Sequence, residues 1–257
     1  MSNYIFEIQL PNDNFLRTLN ALLHDDGFKI FETSHDDFPP IYYFKSAYIK
    51  DLSAAVAYDQ ARQLALFIDG ISFLLYEDRS LVRKMVLGNI RGEDFKIVPL
   101  VKPKITNGIA IDWNIYKATS SKNDNDVIAL LKLVPTDNFI RDLLLNISRG
   151  MDYVDLYNIL DSVKTFLKKR KSSLEKLGFT ENEIDYFIHT ANNSTALGNK
   201  ARHGNRNWIP PEIPMPIDEA QKLFTRIIFS VLLNFYSINP QSHVIKYPSF
   251  DADNLFD

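Results

Sequence analysis

The chain has 257 residues, of which 46% are apolar and 24% charged, with a formal net charge of −3 and no cysteine. This is the composition of a folded globular protein, and it excludes disulfides, thiolate metal sites and cysteine nucleophiles. It also gives no general attraction for nucleic acid, so phosphate binding would have to come from a local basic patch.

The opening stretch, MSNYIFEIQL, has no basic region followed by an apolar run, and no later segment approaches the roughly 18 consecutive apolar residues of a membrane span. A cytoplasmic location without membrane contact is expected. Tyr4, Phe6, Ile8 and Leu10 alternate with Ile5, Glu7 and Gln9 in the period of a strand, closed by Pro11 and Asn12. A short helix is predicted over Asn14 to His24, with Phe15, Leu19, Leu22 and Leu23 on one face. Two β-like pieces follow, Phe28 to Glu32 and Ile41 to Phe44. Between them Pro39 and Pro40 make the connection extended and stiff.

Ser53 can cap a helix reaching about Ile68, where Val56, Ala57, Ala61, Leu64, Ala65 and Ile68 recur at helical spacing and Asp69-Gly70 supplies a stop. From Ile71 to Tyr116 short apolar runs, such as FKIVPLV and GIAIDWNIY, alternate with Gly- and Asn-containing breaks. They predict a small mixed or antiparallel sheet. The polar stretch Ser120 to Asp126 then marks a boundary.

Beyond it the pattern is helical. Phe139, Ile140, Leu143, Leu144 and Ile147 share a face, then Ser148-Arg149-Gly150 interrupts. Asp152 can cap a helix whose stripe is Leu156, Ile159, Leu160, Val163 and Leu167, and Lys168-Lys169-Arg170-Lys171 complements the dipole at its C-terminal end. Thr180 and Glu183 fit a capping box, and Pro216 and Asp218 open a long helix with its stripe running from Ala220 to Phe235. Four amphipathic helices with short or moderate connections indicate a bundle.

Between the last two of these helices lies Asn192 to Trp208, NNSTALGNKARHGNRNW. It holds Lys200, Arg202, His203 and Arg206, and no carboxylate occurs between Asp185 and Glu212. An imidazole exchanges protons near neutral pH and a guanidinium fork clamps phosphate, so Arg202-His203, flanked by Asn199 and Asn205, offers a base, a charge stabiliser and orienting amides. On residue chemistry alone, a histidine in such a loop is more often one that fastens backbone groups. The other histidines, His24, His35, His189 and His243, show no metal spacing, and there is no GxxxxGK[ST], GxGxxG or GxSxG motif. No cofactor or metal is expected.

From Asp137 to about Ser237 the chain resembles the HEPN superfamily, small helical bundles found in prokaryotic toxins, CRISPR-associated ribonucleases and abortive-infection proteins. The resemblance rests on the helix order, on LYNILDSVK from Leu156, and on GNKARHGNR between the last two long helices. It implies a metal-independent endoribonuclease whose protomers pair, with the histidine acting at the ribose 2′-hydroxyl or the leaving group and an arginine stabilising the phosphorane. Carried onto this chain, His203 is the acid or base and Asn199 the polar position. Gly198 stands where the family has arginine, so Arg202 supplies the guanidinium from a neighbouring position. Lys200, Asn205 and Arg206 are then contacts to RNA phosphates.

The expectation is an α+β protein, a mixed α/β region over residues 1–125 joined to a HEPN-like bundle over 126–257. It acts as an RNA-cleaving or RNA-binding effector of the toxin or phage-defence kind, homodimeric, with the N-terminal region available to a protein partner. Two rival readings remain. One is a non-catalytic interaction or dimerisation protein with a structural loop histidine; the other is a sensor of a small anionic ligand.

Overall fold

The computed structural model describes residues 4–9, 13–35, 38–76, 82, 84–99, 111–114, 124–202 and 211–243. The chain is α+β, a small antiparallel sheet at the N-terminus followed by helices. β1 (Ile5–Ile8), β2 (Lys29–His35), β3 (Phe38–Lys45) and β4 (Leu87–Arg91) pair in the order β2-β3-β1-β4. α1 (Asp13–Leu22) and α2 (Ala54–Leu75) are its companions. The Phe6 ring lies 6.5 Å from Phe44 and 6.2 Å from Tyr58 of α2, whose hydroxyl donates to the Leu87 carbonyl of β4 at 2.7 Å.

Pro39 and Pro40 lie inside β3 rather than in a connection between strands. Their missing N–H groups cost the ladder little, because β1 is short and pairs β3 at Tyr43 and Phe44, leaving that side of the earlier half of β3 open. The sheet expected between Ile71 and Tyr116 reduces, among the described residues, to β4, which joins the N-terminal sheet. A tight turn from Gly92 to Phe95, with Phe95 at a φ of 59°, brings Ile97 back to a single bridge with Arg91. Residues 100–110 and 115–123 lie outside the description.

α2 runs through the predicted stop at Asp69-Gly70 and ends at Leu75. The reason is tertiary: from Phe67 to Leu75 every residue is buried, so continuing the helix keeps backbone groups paired away from water. Gly70 meets α4 (Asn138–Ser148) so closely that a Cβ there would overlap the Leu144 carbonyl oxygen. A short helix not singled out from the sequence, α3 (Asp126–Leu133), precedes α4 and is capped by Asn125, which accepts from the Ile128 N–H. Lys132 ties α3 to Asp124 at 2.9 Å and to Asp25, just after α1, at 3.3 Å.

Three of the remaining helices follow the sequence pattern closely, α5 (Tyr153–Lys169), α6 (Glu181–Ala191) and α8 (Ile217–Tyr236), and the single turn α7 (Ser194–Leu197) forms inside the stretch expected to be loop. Asp137 and Asp152 cap α4 and α5, and the Thr180–Glu183 capping box starts α6. Asp137 also accepts from the Tyr236 hydroxyl at 2.8 Å, fixing the start of α4 to the end of α8. At the other end, the Tyr153 hydroxyl donates to the Met215 carbonyl and the Met215 N–H to Thr190 Oγ1. α8 is thus tied at both ends, and the buried apolar side chains form one connected cluster from Phe6 to Ile238. Among the described residues no helix is long and apolar enough to cross a membrane.

Candidate functional site

The loop after α6 is built by two asparagines with different tasks. Asn193, only 1% exposed, caps α7 by accepting from the Thr195 and Ala196 N–H groups at 2.9 and 3.2 Å. Asn193→Ala should cost about 1 kcal/mol through the lost cap and should loosen this loop first, as measured by amide exchange at 194–197. Asn192 is also buried, and its Oδ1 has no hydrogen-bond partner among the described residues. Buried acceptors are nearly always paired, so this amide marks the end of α6 as a junction with an open polar position.

Gly198 follows α7 with φ 60° and ψ −130°, a backbone conformation that glycine alone adopts readily. Space is not the constraint, since a Cβ at Gly198 would meet no atom within 4 Å. The backbone itself therefore accounts for a glycine at position 198. After a 3-10 turn over Gly198–Lys200, the Arg202 N–H donates to the Ala191 carbonyl at 2.9 Å, closing the loop onto the end of α6.

Arg202 then reaches α5. Its guanidinium carbon sits 3.8 Å from the centre of the Tyr157 ring, and Nη2 is 3.6 Å from Asp161 Oδ2. The spacing of Tyr157 and Asp161, one helical turn apart on α5, gives both a common face toward the loop. No carboxylate lies near this loop along the chain, between Asp185 and Glu212; the one that meets Arg202 comes from another helix. The Asp161 side chain is 56% exposed and that of Arg202 28%. An ion pair this open contributes between roughly 0 and 1 kcal/mol, and the ring contact about the same. Arg202 is therefore oriented but lightly held, and the two oxygens of an anionic phosphate, met as a bidentate pair, compete well for it.

Of the expected site residues, Asn199 and Lys200 are exposed on the 3-10 turn, and no described side chain joins them to Arg202. His203, Asn205 and Arg206 lie outside the described residues. Sequence reasoning missed Tyr157 and Asp161 as members of the site, although both lie inside LYNILDSVK, the stretch that helped carry the resemblance. Asp161 also borders a groove of about 770 Å³ between the start of α4 and the second half of α5, lined by Asp137, Asp142, Thr165 and Lys169. Among the described residues no group of three or more His, Asp or Glu side chains is placed to hold a metal ion. Comparison with protein-family models, with curated proteins and with solved structures finds no match.

Proposed function

We propose that this chain is a HEPN-like effector acting on RNA, of the toxin or phage-defence kind, working in the cytoplasm as a homodimer without a metal. The observation that carries the reading is the seating of Arg202 on Tyr157 and Asp161, which sets a partly exposed guanidinium from the segment GNKARHGNR against α5. In the proposed reaction a ribose 2′-oxygen attacks the adjacent phosphorus and the bond to the 5′-oxygen breaks, leaving a 2′,3′-cyclic phosphate. His203 takes the 2′-hydroxyl proton or delivers one to the leaving oxygen. Arg202 balances the charge that builds on the phosphorane, Asn199 orients it, and Lys200, Asn205 and Arg206 hold neighbouring phosphates.

The test is cleavage of end-labelled RNA in EDTA by the wild type, Arg202→Ala and His203→Ala. Loss of about a hundredfold or more in both variants is expected, in line with the removal of one acid-base group or one oxyanion stabiliser. Equal activity in all three proteins, or none in any, removes the catalytic assignment.

A second reading is favoured by the Asp161 contact, because a guanidinium already facing a carboxylate also serves as a fastener for the loop. In that case the bundle is a non-catalytic dimerisation or interaction module: the wild type cleaves nothing, and Arg202→Ala lowers the melting temperature or separates the protomers. Stabilisation by mononucleotides but not by RNA would instead indicate a sensor of a small anion.

A further inference from the structure

The basic run at the end of α5 does not act as a unit. Arg170 folds back over an aromatic group, its guanidinium carbon 4.5 Å from the Phe166 ring and within 6 Å of Phe235 and Tyr236. Lys169 lines the groove shared with Asp137, Asp142 and Asp161. Lys168 and Lys171 are left exposed. Lys168 belongs to a series along α5, Tyr157, Asp161, Lys164 and Lys168, spaced by four, three and four residues, which keeps one helical face. That face begins under Arg202. Among the described residues no carboxylate forms an ion pair with Lys164, Lys168 or Lys171. Two acids lie nearby: Asp161, three residues before Lys164 on the same face, and Glu175, held below its usual range first by a hydrogen bond from Ser173 and more weakly by the charge of Lys164. Lys164 and Glu175 also flank a depression of about 220 Å³ with Ser172 and Ser173.

The helix dipole explains the cations at the C-terminal end, but not Lys164 further back. Lys171 has φ 54°, in the left-handed region, where its N–H closes onto the Lys168 carbonyl and the Ser172 N–H onto that of Leu167. This is the helix-ending position that glycine favours, so a lysine there carries a conformational cost, with its carbonyl accepting from Lys176 Nζ at 3.1 Å.

We infer that the face of α5 carrying Lys164 and Lys168, continued by Lys171 just beyond the helix end, is a track for the phosphate backbone of single-stranded RNA, leading to the position held by Arg202. The inference rests on the RNA reading above and extends it to how the strand is led to the site. A single strand suits it because Lys164 and Lys168 lie on one helix face with Lys171 next after the helix end, so phosphates would be met in succession. The contacts are to phosphates, so the track adds affinity without selecting sequence.

The experiment measures binding of a fully 2′-O-methylated 12-mer RNA, which lacks the attacking hydroxyl, by fluorescence anisotropy between 50 and 200 mM salt. The triple variant Lys164→Ala, Lys168→Ala, Lys171→Gly should weaken binding at low salt by tenfold or more. It should also lower the slope of log affinity against log salt by about two, near 0.7 for each lysine. Lys171→Gly alone should lower that slope by about 0.7 while raising the melting temperature by about 2 °C, so loss of binding and gain of stability appear together. Unchanged affinity and slope in the triple variant overturn the track while leaving Arg202 and cleavage to stand or fall separately. If the wild type binds no RNA, the track and the RNA reading fail together. Lysine-dependent binding to phosphatidylserine vesicles with no effect on RNA also overturns the track.

Discussion

Gly70→Val is expected to destabilise the protein by about 3 kcal/mol or more, and Gly70→Ala by about 1–2 kcal/mol, even though both residues form helices better than glycine. In an exposed helix the alanine substitution would gain about 1 kcal/mol. Here any Cβ at 70 is driven into the Leu144 carbonyl oxygen, with the carbonyl carbon 3.0 Å and the α-carbon 3.2 Å away. All three are backbone atoms of α4, so no side chain can rotate out of the way and the two helices must part. Parting them opens contacts made by Ile68, Ile71, Leu143 and Ile147, all at most 1% exposed. Valine adds two methyl groups and forces a wider separation. Urea denaturation of the two variants checks the order wild type, Ala, Val; a valine variant within 0.5 kcal/mol of the wild type would show that α2 and α4 are not this close in solution. Because α4 in turn packs on α5, the valine variant should also disturb the seat of Arg202 more than its distance in sequence suggests.

The same position shows where sequence reading succeeds and where it stops. Asp-Gly after an apolar stripe is a sound local signal for a helix end, and the capping signals at Asp152 and Thr180 are matched at α5 and α6. At Asp69-Gly70 the signal fails because a second helix covers the segment, and burial of the backbone outweighs local preference. Likewise Pro39 and Pro40 signal a break only if β3 has neighbours on both sides, and the shortness of β1 removes one of them. α3 was missed because Val127 to Leu133 is apolar almost throughout and too short to display a period. At the candidate site the loop and its cations were legible from composition. Tyr157 and Asp161 were not, because their meeting with Arg202 is a contact between elements, for which periodicity along one element carries no information.

Asp69 gives the second large effect, and it is a dependence on pH. The carboxyl group is 3% exposed, accepts the Met85 N–H at 2.7 Å, and lines a cavity of about 510 Å³ with Asp59, Arg62 and Lys84. Burial pushes its pKa up from 3.8 to about 7, against the smaller opposing influences of the Met85 hydrogen bond and the charge of Lys84. A folded pKa above the unfolded one means that the native state holds the proton more tightly. The associated stability is fully present below about pH 4, declines as pH rises toward 7, and is gone above it. A gap of about three in pKa, at about 1.4 kcal/mol for each, makes the loss on the order of 4 kcal/mol. Asp69→Asn keeps an oxygen to accept the Met85 N–H and has no proton to lose. Its stability should therefore match that of the wild type at pH 4 and exceed it by about 2–4 kcal/mol at pH 8, the lower figure allowing for water entering the cavity beside the charged group. Thermal or urea unfolding of both proteins from pH 4 to 8 reads the difference directly, with contributions from other titrating groups cancelling between them. Parallel curves across that range would show that Asp69 is charged and well solvated throughout, and that the segment at Met85 is not closed over it.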